Sequence, residues 1–394
     1  MSKISLVARI LSVMLILLLL QQGSPARGES PARAAAPASG NTLVVNSTQD
    51  TPDADVLNPA CADASGKCSL RAAIMLADFL KGSSTIVLPK GVYTLTRPGY
   101  DNNSEVGDLD ISANLKLQGA GSGATIVDGN GAVTGDRAFK VLDTAGSVTL
   151  SGLTIRNGVS LSSTVGTIGG GGLLMEGAGN LTLSDVDFED NTGQNGGGLY
   201  VNFTNLGGSL SMDHVTLHAN KALAGGVGEG GGLFVYLPSA SSLATVQNSL
   251  VYSNTADGTG GGAFIEGATQ AQWQVTLSQF YSNTADSGGA IGNFVPLSLS
   301  DSVLRNNRAS SDGGAIEAFS PVSILRSTLS ANSAARYGGA IFSLSTGNSA
   351  SPEDFLDINQ STLSYNYAHD GGAIYHDGYI DYNALLTLTN STLS

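Results

Sequence analysis

The sequence concentrates carboxylate side chains in one short segment. They stand at four of six consecutive positions: Asp185, Asp187, Glu189 and Asp190. Val186 and Phe188 alternate with them, and this period of two predicts a strand on which the first three acidic residues share the outer face. Such a row suggests a calcium or glycan site. It also raises the question of catalysis, because glycoside hydrolysis needs two carboxyl groups that flank the scissile bond.

Basic side chains stand near this acidic row in the neighbouring repeats. Arg156 precedes the row, and His214 and His218 follow it. The plainer interpretation is a solvated strand face on which Arg156 pairs with Glu189 across the coils, for about 0.5 kcal/mol. His214 and His218 share a strand face but stand too far apart for easy joint ligation of a metal. We therefore predict no metal and no other cofactor, with calcium at the acidic row as the open alternative.

The other residues that could carry chemistry are scattered. His369 and His376 flank the last Gly-Gly pair and are expected in exposed loops. The strings Asp-Asp, Gly-His-Gly and Arg-x-Lys, typical of polygalacturonase sites, do not occur in the sequence, so no catalytic residue is assigned. Several tyrosines could stack on sugar rings: Tyr200, Tyr236, Tyr252, Tyr281, Tyr365 and Tyr375.

The composition limits both the class of protein and the class of partner. Glycine accounts for 52 of 394 residues and charged residues for only 13%, so uncharged residues must supply much of the polar surface. This suits many short strands joined by tight turns. The net charge of −14 repels nucleic acid and anionic membranes. It is compatible with calcium, cationic surfaces or neutral glycans, or simply with solubility.

The first residues have the pattern of an export signal. Lys3 and Arg9 precede an uncharged apolar run from 10 to 20, which has the length of a signal-peptide core and is too short to span a bilayer. We assign residues 1–36 to a signal peptide and leader, and we predict a secreted protein, extracellular or at the cell surface or outer membrane. In that compartment Cys61 and Cys68 are expected to form a disulfide. No later segment is apolar enough to cross a membrane.

An internal repeat determines the predicted fold. Eight Gly-Gly pairs recur at the spacing of the repeat, at Gly171-Gly172, Gly197-Gly198, Gly231-Gly232, Gly261-Gly262, Gly288-Gly289, Gly313-Gly314, Gly338-Gly339 and Gly371-Gly372. An asparagine three positions after an apolar residue precedes seven of these pairs: Asn191, Asn220, Asn254, Asn283, Asn307, Asn332 and Asn366. Paired glycines mark a turn that needs positive φ or close backbone contact. Asparagine tolerates left-handed backbone and can form side-chain ladders between stacked coils.

One such unit cannot bury its apolar side alone, so it must stack on the next. We predict an all-β fold, a right-handed parallel β-helix over residues 111–394, with strands of successive coils about 4.8 Å apart. Residues 41–110 are expected to form an N-terminal cap that contains one short helix, Leu70–Leu80, beside the disulfide. Residues 390–394 repeat the register of 360–364. The chain is therefore expected to stop within a coil.

Two groups of motifs resemble known families. Residues 68–74 resemble the CSLREA motif of bacterial β-helix proteins, with Ala72 where the motif has Glu and Asp78 where Asn is common. The repeats resemble the paired GGAI and FxxN motifs of polymorphic outer-membrane proteins, most closely at 280–283 and 288–291. The resemblance implies a pectin-lyase-like β-helix at the cell surface, often with an adhesive role. It does not imply an enzyme.

These observations favour a non-catalytic binding or adhesion stalk whose partner is a surface polysaccharide or protein. The regular repetition, in which no unit stands out chemically, supports this hypothesis. The alternative is a polysaccharide lyase or glycoside hydrolase that acts on an acidic polysaccharide at the acidic row. A third hypothesis is a structural spacer for another domain.

Overall fold

Short strands separated by tight corners make up most of the chain. The computed structural model describes residues 40–161, 169–177, 179–203, 207–345, 356–378 and 385–394. The predicted signal peptide and leader, residues 1–36, lie outside the described residues. No helix in the described part of the chain has the length and apolar character needed to span a bilayer.

The elements are numbered in chain order. They are β1 (Asn41–Val44), α1 (Leu70–Leu80), β2 (Ser83–Val87), β3 (Gly91–Thr94), β4 (Leu109–Ile111), β5 (Asn114–Gln118), β6 (Thr125–Asp128), α2 (Gly131–Thr134), β7 (Phe139–Val141), β8 (Ser147–Arg156), β9 (Val159–Ser160), β10 (Leu173–Glu176), β11 (Asn180–Glu189), β12 (Thr192–Gly193), β13 (Leu199–Asn202), β14 (Ser209–His218), β15 (Lys221–Ala222), β16 (Leu233–Leu237), β17 (Leu243–Gln247), β18 (Leu250–Tyr252), β19 (Thr255–Ala256), β20 (Ala263–Gly267), β21 (Gln272–Thr276), β22 (Gln279–Tyr281), β23 (Thr284–Ala285), β24 (Ile291–Asn293), β25 (Leu297–Ser300), β26 (Val303–Arg305), β27 (Arg308–Ala309), β28 (Ile316–Ala318), β29 (Val322–Leu325), β30 (Thr328–Ser330), β31 (Ser333–Ala334), β32 (Ile341–Ser345), β33 (Leu356–Asn359), β34 (Thr362–Ser364), β35 (Ile374–Gly378), β36 (Leu386–Thr389) and β37 (Thr392–Leu393).

The strands form three sheets that wind around one core. Sheet A contains β1–β3, β5, β6, β8, β11, β14, β17, β18, β21, β22, β25, β26, β29, β30, β33, β34, β36 and β37. Sheet B contains β4, β7, β10, β13, β16, β20, β24, β28, β32 and β35, and sheet C contains β9, β12, β15, β19, β23, β27 and β31. A complete coil passes through sheet A, sheet C, the Gly-Gly turn and sheet B. Strands of successive coils pair in parallel, as in the pairing of β11 with β8 and β14. The predicted all-β parallel β-helix is confirmed.

The inward-facing side chains stack in columns from coil to coil. Leu183 of β11 is in register with Leu150 on the preceding coil and with Met212 on the following coil, and all three are buried. One hydrophobic cluster extends in this way from Leu43 to Leu363. Parallel neighbours lie about 4.8 Å apart, so each coil covers the apolar side of the next.

Each coil of sheet A bends at a residue with left-handed backbone. In β11 this residue is Asp185, with a φ of 53°. Leu183 and Val186 are both buried on either side of the bend, so the alternation of inward and outward side chains shifts there by one residue. A second left-handed residue stands before each ladder asparagine: Asp190, Ala219, Ser253, Ser282, Asn306, Ala331 and Tyr365. The backbone role predicted for the asparagines is therefore taken by the residues that precede them.

The asparagines themselves form a buried ladder along the corner between sheets A and C. Its members are Asn191, Asn220, Asn254, Asn283, Asn307, Asn332 and Asn366. In all but the last, Asn366, the side-chain Nδ2 donates to the Oδ1 of the next asparagine at 3.0–3.1 Å, and the backbone N–H of the same residue donates to that Oδ1 as well. The polar side chains that point inward at this corner are thus hydrogen-bonded from coil to coil. A serine ladder follows the bend, in which the backbone N–H of each serine donates to the Oγ of the next: Ser249, Ser278, Ser302, Ser327, Ser361 and Ser391.

The glycine pairs serve two separate needs. Gly288 has a φ of 57°, which a residue with a side chain rarely adopts. Its neighbour Gly289 lies against the next coil, where an added Cβ would stand 2.3 Å from the carbonyl oxygen of Gly314. One glycine makes the turn, and the other allows the coils to approach.

The N-terminal residues combine a helix with strands of the solenoid. Helix α1 has the predicted bounds, is capped by Ser69, whose side chain accepts the N–H of Ala72, and packs against β1, β2 and β4. The predicted disulfide between Cys61 and Cys68 is confirmed, with its Cα atoms 5.1 Å apart. Strands β1–β3 already pair within sheet A, so the segment expected to form the cap also contributes strands to the solenoid. At the other end β37 pairs with β34 in the predicted register.

Arg71 of the CSLREA-like segment is fully buried. Its guanidinium pairs with Asp50, at 2.6 Å from Nε to Oδ1, and donates to the carbonyl oxygens of Ser104, Gly107 and Asp108. The glutamate of the motif is therefore not needed as an ionic partner in this chain. Ala72, which replaces it, is buried against the core.

Candidate functional site

Side chains that could carry chemistry concentrate on the outer face of the second half of sheet A. One column of positions runs there in register through successive coils, just before the corner with the asparagine ladder. We call it the rim column: Asp128, Arg156, Glu189, His218, Tyr252, Tyr281, Arg305, Ser330 and Ser364. Charged and aromatic residues fill all but its last two positions, which are serines.

The aromatic members of the rim column stack on one another. The imidazole of His218 lies on the ring of Tyr252, with centroids 5.0 Å apart and an interplanar angle of 3°. Tyr252 lies on Tyr281 in the same way at 4.8 Å, and Cζ of Arg305 is 4.3 Å from the centroid of Tyr281. Burial, then the phenol of Tyr281 and the nearby carboxylates, raise the pKa of the Tyr252 hydroxyl. Because the ring faces are covered, the polar edges remain for contact with a ligand.

The predicted acidic row lies on β11 and meets this column. Glu189 belongs to the rim column, and Asp187 is half-buried between threonines of the neighbouring coils. Asp185 stands on the bend, where its carboxylate accepts hydrogen bonds from the hydroxyl and the N–H of Ser122 at 2.7 and 3.3 Å. Asp190 occupies the left-handed corner before the first ladder asparagine. The structure therefore brings Asp187 and Glu189 together on one outer face and sets the other two acids at its corners.

The predicted ion pair of Arg156 with Glu189 is replaced by another. Arg156 Nε lies 2.9 Å from Asp128 Oδ2 on the preceding coil. The side-chain amide of Asn157 also donates to both oxygens of Asp128, at 3.2 and 3.0 Å. Asn157 thus holds the Asp128 carboxylate in place on the preceding coil. That carboxylate draws the Arg156 guanidinium toward the preceding coil and away from Glu189.

The histidines do not converge on one another. Among the described residues, no three His, Cys, Asp or Glu side chains form a group that could hold a metal ion. His214 is exposed and lies 2.9 Å from the carboxylate of Asp213, whereas His218 stacks on its tyrosine. His369 is exposed as predicted. The prediction for His376 is wrong, because this residue lies in β35 with its Nδ1 3.1 Å from a serine hydroxyl.

A second group of acids lies on and beside the outer face of sheet B, with Glu176 and Glu266 on its strands and Glu229 in the segment before β16. Burial and then the nearby charge of Glu266 raise the pKa of Glu229 to about 7. Burial also raises the pKa of Glu266. Burial, together with Glu266, Glu176 and Glu229, raises the pKa of the Tyr200 hydroxyl to about 12. These side chains form one partly buried group in which a carboxyl takes up a proton near neutral pH.

Glu317 is a further buried acid on the same face. It is 7% exposed, and burial followed by the charge of Asp312 raises its pKa to about 7, while the hydroxyls of Thr259 and Ser287 lower it. Nothing in the strand pattern reveals these acids, because their positions point outward and look exposed. Residues of the preceding turns, such as Thr259 and Ser287, cover Glu317, and sequence spacing carries no signal for that contact.

Aromatic rings also contact one another in a row along sheet B, mostly stacked, with Phe264 tilted against Phe294 and Phe319 edge-on to Phe342. The row consists of Tyr200, Phe234, Phe264, Phe294, Phe319, Phe342 and Tyr375. Phe234 and Phe264 are only 3% and 2% exposed. This stack therefore packs the outside of the sheet, and Tyr200 and Tyr375 at its ends belong to that packing.

A further group of buried charges lies in the N-terminal region. Burial raises the pKa of Asp110 to about 9 and that of Asp108 to about 7. Arg137 lies 3.7 Å from Asp108 and 3.8 Å from Asp136. A cavity of about 550 Å³ at the end of α1 is lined in part by Asp78, whose pKa burial raises to about 6 although it accepts two backbone N–H groups. These groups join α1 and its following loop to the first coils.

Comparison with known proteins gives likenesses of fold. No protein-family model and no curated protein matches the chain. The solved structure of the pectate lyase Pel9A is similar with a TM-score of 0.48 and 12% identity, over 88% of this chain and 82% of that one. The A-module of the mannuronan C-5 epimerase AlgE4 of Azotobacter vinelandii is similar with a TM-score of 0.37 and 17% identity, over 82% of this chain and 94% of that one. The AlgE6 A-module of the same organism follows at 0.30 and 13%, over 82% and 95%.

Proposed function

We propose that this chain is a secreted or cell-surface β-helix protein that binds an extended polymer, a surface polysaccharide or a protein, along the rim column without acting on it chemically. The observation that carries this proposal is the stack of His218, Tyr252, Tyr281 and Arg305 in register with Asp128, Arg156 and Glu189. It offers a line of polar edges repeated at about 4.8 Å, the spacing of the coils.

The order of this array favours binding. Each ring is held between neighbours on adjacent coils, so little side-chain freedom is left to lose when a ligand arrives. A periodic polymer can make the same weak contact at several coils at once, which increases its overall affinity. The net charge of −14 favours neutral or cationic partners over polyanions.

The test compares two tyrosine variants of the protein from residue 41 onward. A panel of immobilised neutral, cationic and acidic polysaccharides and of surface proteins is first screened for binding. Tyr252→Ala combined with Tyr281→Ala should then weaken the binding at least about tenfold. Tyr367→Ala, which removes a tyrosine that is 72% exposed and lies outside the rim column, should leave it unchanged. Equal binding by both variants would exclude the rim column as the site.

An enzyme that acts on a polysaccharide is the second candidate, and one observation favours it. Asp187 and Glu189 are two residues apart on one face of β11, so two carboxyl groups point outward side by side. Glycoside hydrolysis uses two carboxyl groups that flank the scissile bond. His218 lies in register with Glu189 as a further group for proton transfer.

Turnover separates the two candidates. New reducing ends and unsaturated uronide absorbance are followed on neutral and acidic polysaccharides, with and without calcium. Activity that is lost in Asp187→Asn and kept in the control Asp213→Asn, on the next coil of the same face, would make the protein an enzyme. Absence of turnover from a folded protein that binds its polymer supports the binding function.

The placement at the cell surface rests on the basic and apolar N-terminal segment and on the likeness of the repeats to polymorphic outer-membrane proteins. Expression in a bacterial host with a secretory pathway tests it. Mass spectrometry of exported protein should show an N-terminus between about residues 24 and 37, where small residues fit a signal cleavage site. Retention of Met1 in the cytosol would contradict export.

A further inference from the structure

The loop between β3 and β4 folds against a buried acid, Asp110, at the start of sheet B. Leu109 and Ile111 on either side of it belong to the core, so the Asp110 side chain points outward, yet the residue is 0% exposed. The N–H of Ser104 in the loop donates to Oδ2 of Asp110 at 3.1 Å, and the Ser104 hydroxyl accepts the N–H of Asp110 at 2.7 Å. These bonds fix the loop on β4.

The second carboxylate oxygen of Asp110 provides the observation that points to a ligand. This oxygen, Oδ1, is buried and has no hydrogen-bond donor. The carboxyl group of Asp101, in the same loop, lies within hydrogen-bonding reach of the Asp110 carboxyl. Asp101 is itself held by the backbone N–H groups of Asn103 and Val106, at 3.1 and 2.8 Å. Two carboxyl groups this close repel each other unless a proton or a cation lies between them.

A third oxygen donor stands beside this pair. The side-chain amide of Asn103 has two orientations that differ by half a turn. In one, its oxygen lies 3.1 and 2.9 Å from the two oxygens of Asp101, and in the other its nitrogen takes that place and donates to both. The first orientation needs a cation among the oxygens. Asn103 is exposed and Asp101 is half-buried, so the group is open to solvent on one side.

The basic side chains of this region are directed to other partners. Lys140 is in register with Asp110 on the next coil, but its Nζ lies 3.1 Å from the side-chain oxygen of Asn102. Arg137 lies beside two other acids. Within the described ranges no lysine, arginine or histidine forms an ion pair with Asp101 or Asp110. The negative charge of the pair is therefore left for a partner from solution.

We propose that Asp101, Asn103 and Asp110 bind a calcium ion that fastens the β3–β4 loop to the first strand of sheet B. Carboxylate and amide oxygens are the ligands that calcium takes in proteins, and water supplies the remaining ligands from the open side. A proton bridges two oxygens, whereas calcium satisfies all three side chains at once. Only two of the donors are acidic, so the site is distinct from a cluster of three or more acidic side chains, which the described residues lack.

Calorimetry tests the site with calcium chloride added to purified protein that has been treated with EGTA. Saturable binding of one calcium ion is expected. Asn103→Ala should weaken it about tenfold, whereas the matched change Asn102→Ala, which removes the neighbouring exposed asparagine, should leave it unchanged. Asp110→Asn should weaken it at least about tenfold, and Asp143→Asn, which removes an exposed acid outside the loop, should not.

Thermal denaturation then separates a bound cation from a shared proton. Calcium should raise the melting temperature of the unaltered protein, because an ion that binds only the folded chain stabilises it. Asp110→Asn can donate its amide to Asp101 without a proton or a cation, so its melting temperature should not respond to calcium. The Tyr252→Ala and Tyr281→Ala double variant should keep the full response, which separates this site from the rim column. Absence of saturable calcium binding, or unchanged affinity in both Asn103→Ala and Asp110→Asn, would overturn the proposal.

Discussion

Removing one rung of the asparagine ladder should destabilise the neighbouring coils far more than removing an exposed asparagine. Asn254 is fully buried. Its Nδ2 donates to the carbonyl oxygen of Leu217 at 2.8 Å and to Oδ1 of Asn283 at 3.1 Å. Its Oδ1 accepts the backbone N–H and the side-chain Nδ2 of Asn220, both at 3.0 Å. Asn254→Ala therefore breaks four hydrogen bonds at once.

The expected magnitude follows from these bonds. At about 1 kcal/mol net for each, Asn254→Ala should lower the free energy of unfolding by about 4 kcal/mol, and buried partners left unpaired add to the loss. The matched control is Asn180→Ala, an exposed asparagine on the outer face of β11 whose amide oxygen accepts a bond from the Ser209 hydroxyl. That change should cost less than about 0.5 kcal/mol.

Urea unfolding and hydrogen exchange measure the effect together. A solenoid can open locally, so exchange at the Asn220 amide reports on the affected corner even where global unfolding is not two-state. Protection of Asn220 should fall sharply in Asn254→Ala and stay unchanged in Asn180→Ala. A loss of stability below about 1 kcal/mol, with Asn220 still protected, would refute the idea that the ladder holds the corner.

Three further predictions concern the cap, the sheet B acids and the turns. Replacing Cys61 and Cys68 by serine should lower stability by about 2–3 kcal/mol, the loop-closure value for this short separation, and thermal denaturation would show it. The folded-state pKa of Glu317 is raised to about 7, so its contribution to stability is complete below pH 4.5 and is lost as the pH rises through 7. Glu317→Gln should therefore flatten the fall of the melting temperature between pH 5 and 8, and an unchanged slope would contradict this. Gly289→Ala should cost about 3 kcal/mol or more because the added Cβ meets a backbone carbonyl of the next coil, whereas Gly82→Ala, whose Cβ has room, should be tolerated in the same assay.

The positions of glycine, asparagine and apolar residues were sufficient to predict the coil. A Gly-Gly pair and an asparagine at coil spacing specify a repeated corner, and the alternation between them specifies strands. Helix α1 and the disulfide followed from equally local patterns, the apolar stripe of Leu70–Leu80 and two cysteines close in sequence. These features depend on neighbours in the chain, so the sequence alone contains them.

Contacts between coils were harder to predict. Arg156 pairs with Asp128 of the preceding coil rather than with Glu189 of the following coil. Both this choice and the left-handed bend at Asp185 depend on how neighbouring coils are placed against each other. The acids of sheet B were missed for a similar reason, since Glu229 and Glu317 occupy positions that look exposed until turns from other coils cover them.

The sequence by itself determined that this chain forms a parallel β-helix, because stacking is the only way for repeats of this length to bury their apolar faces. Only the tertiary structure decided which outward side chains meet. Register aligned His218, Tyr252 and Tyr281 into one stack. Residues 24–34 positions apart in the chain become neighbours about 4.8 Å apart only when the length of every intervening turn is fixed.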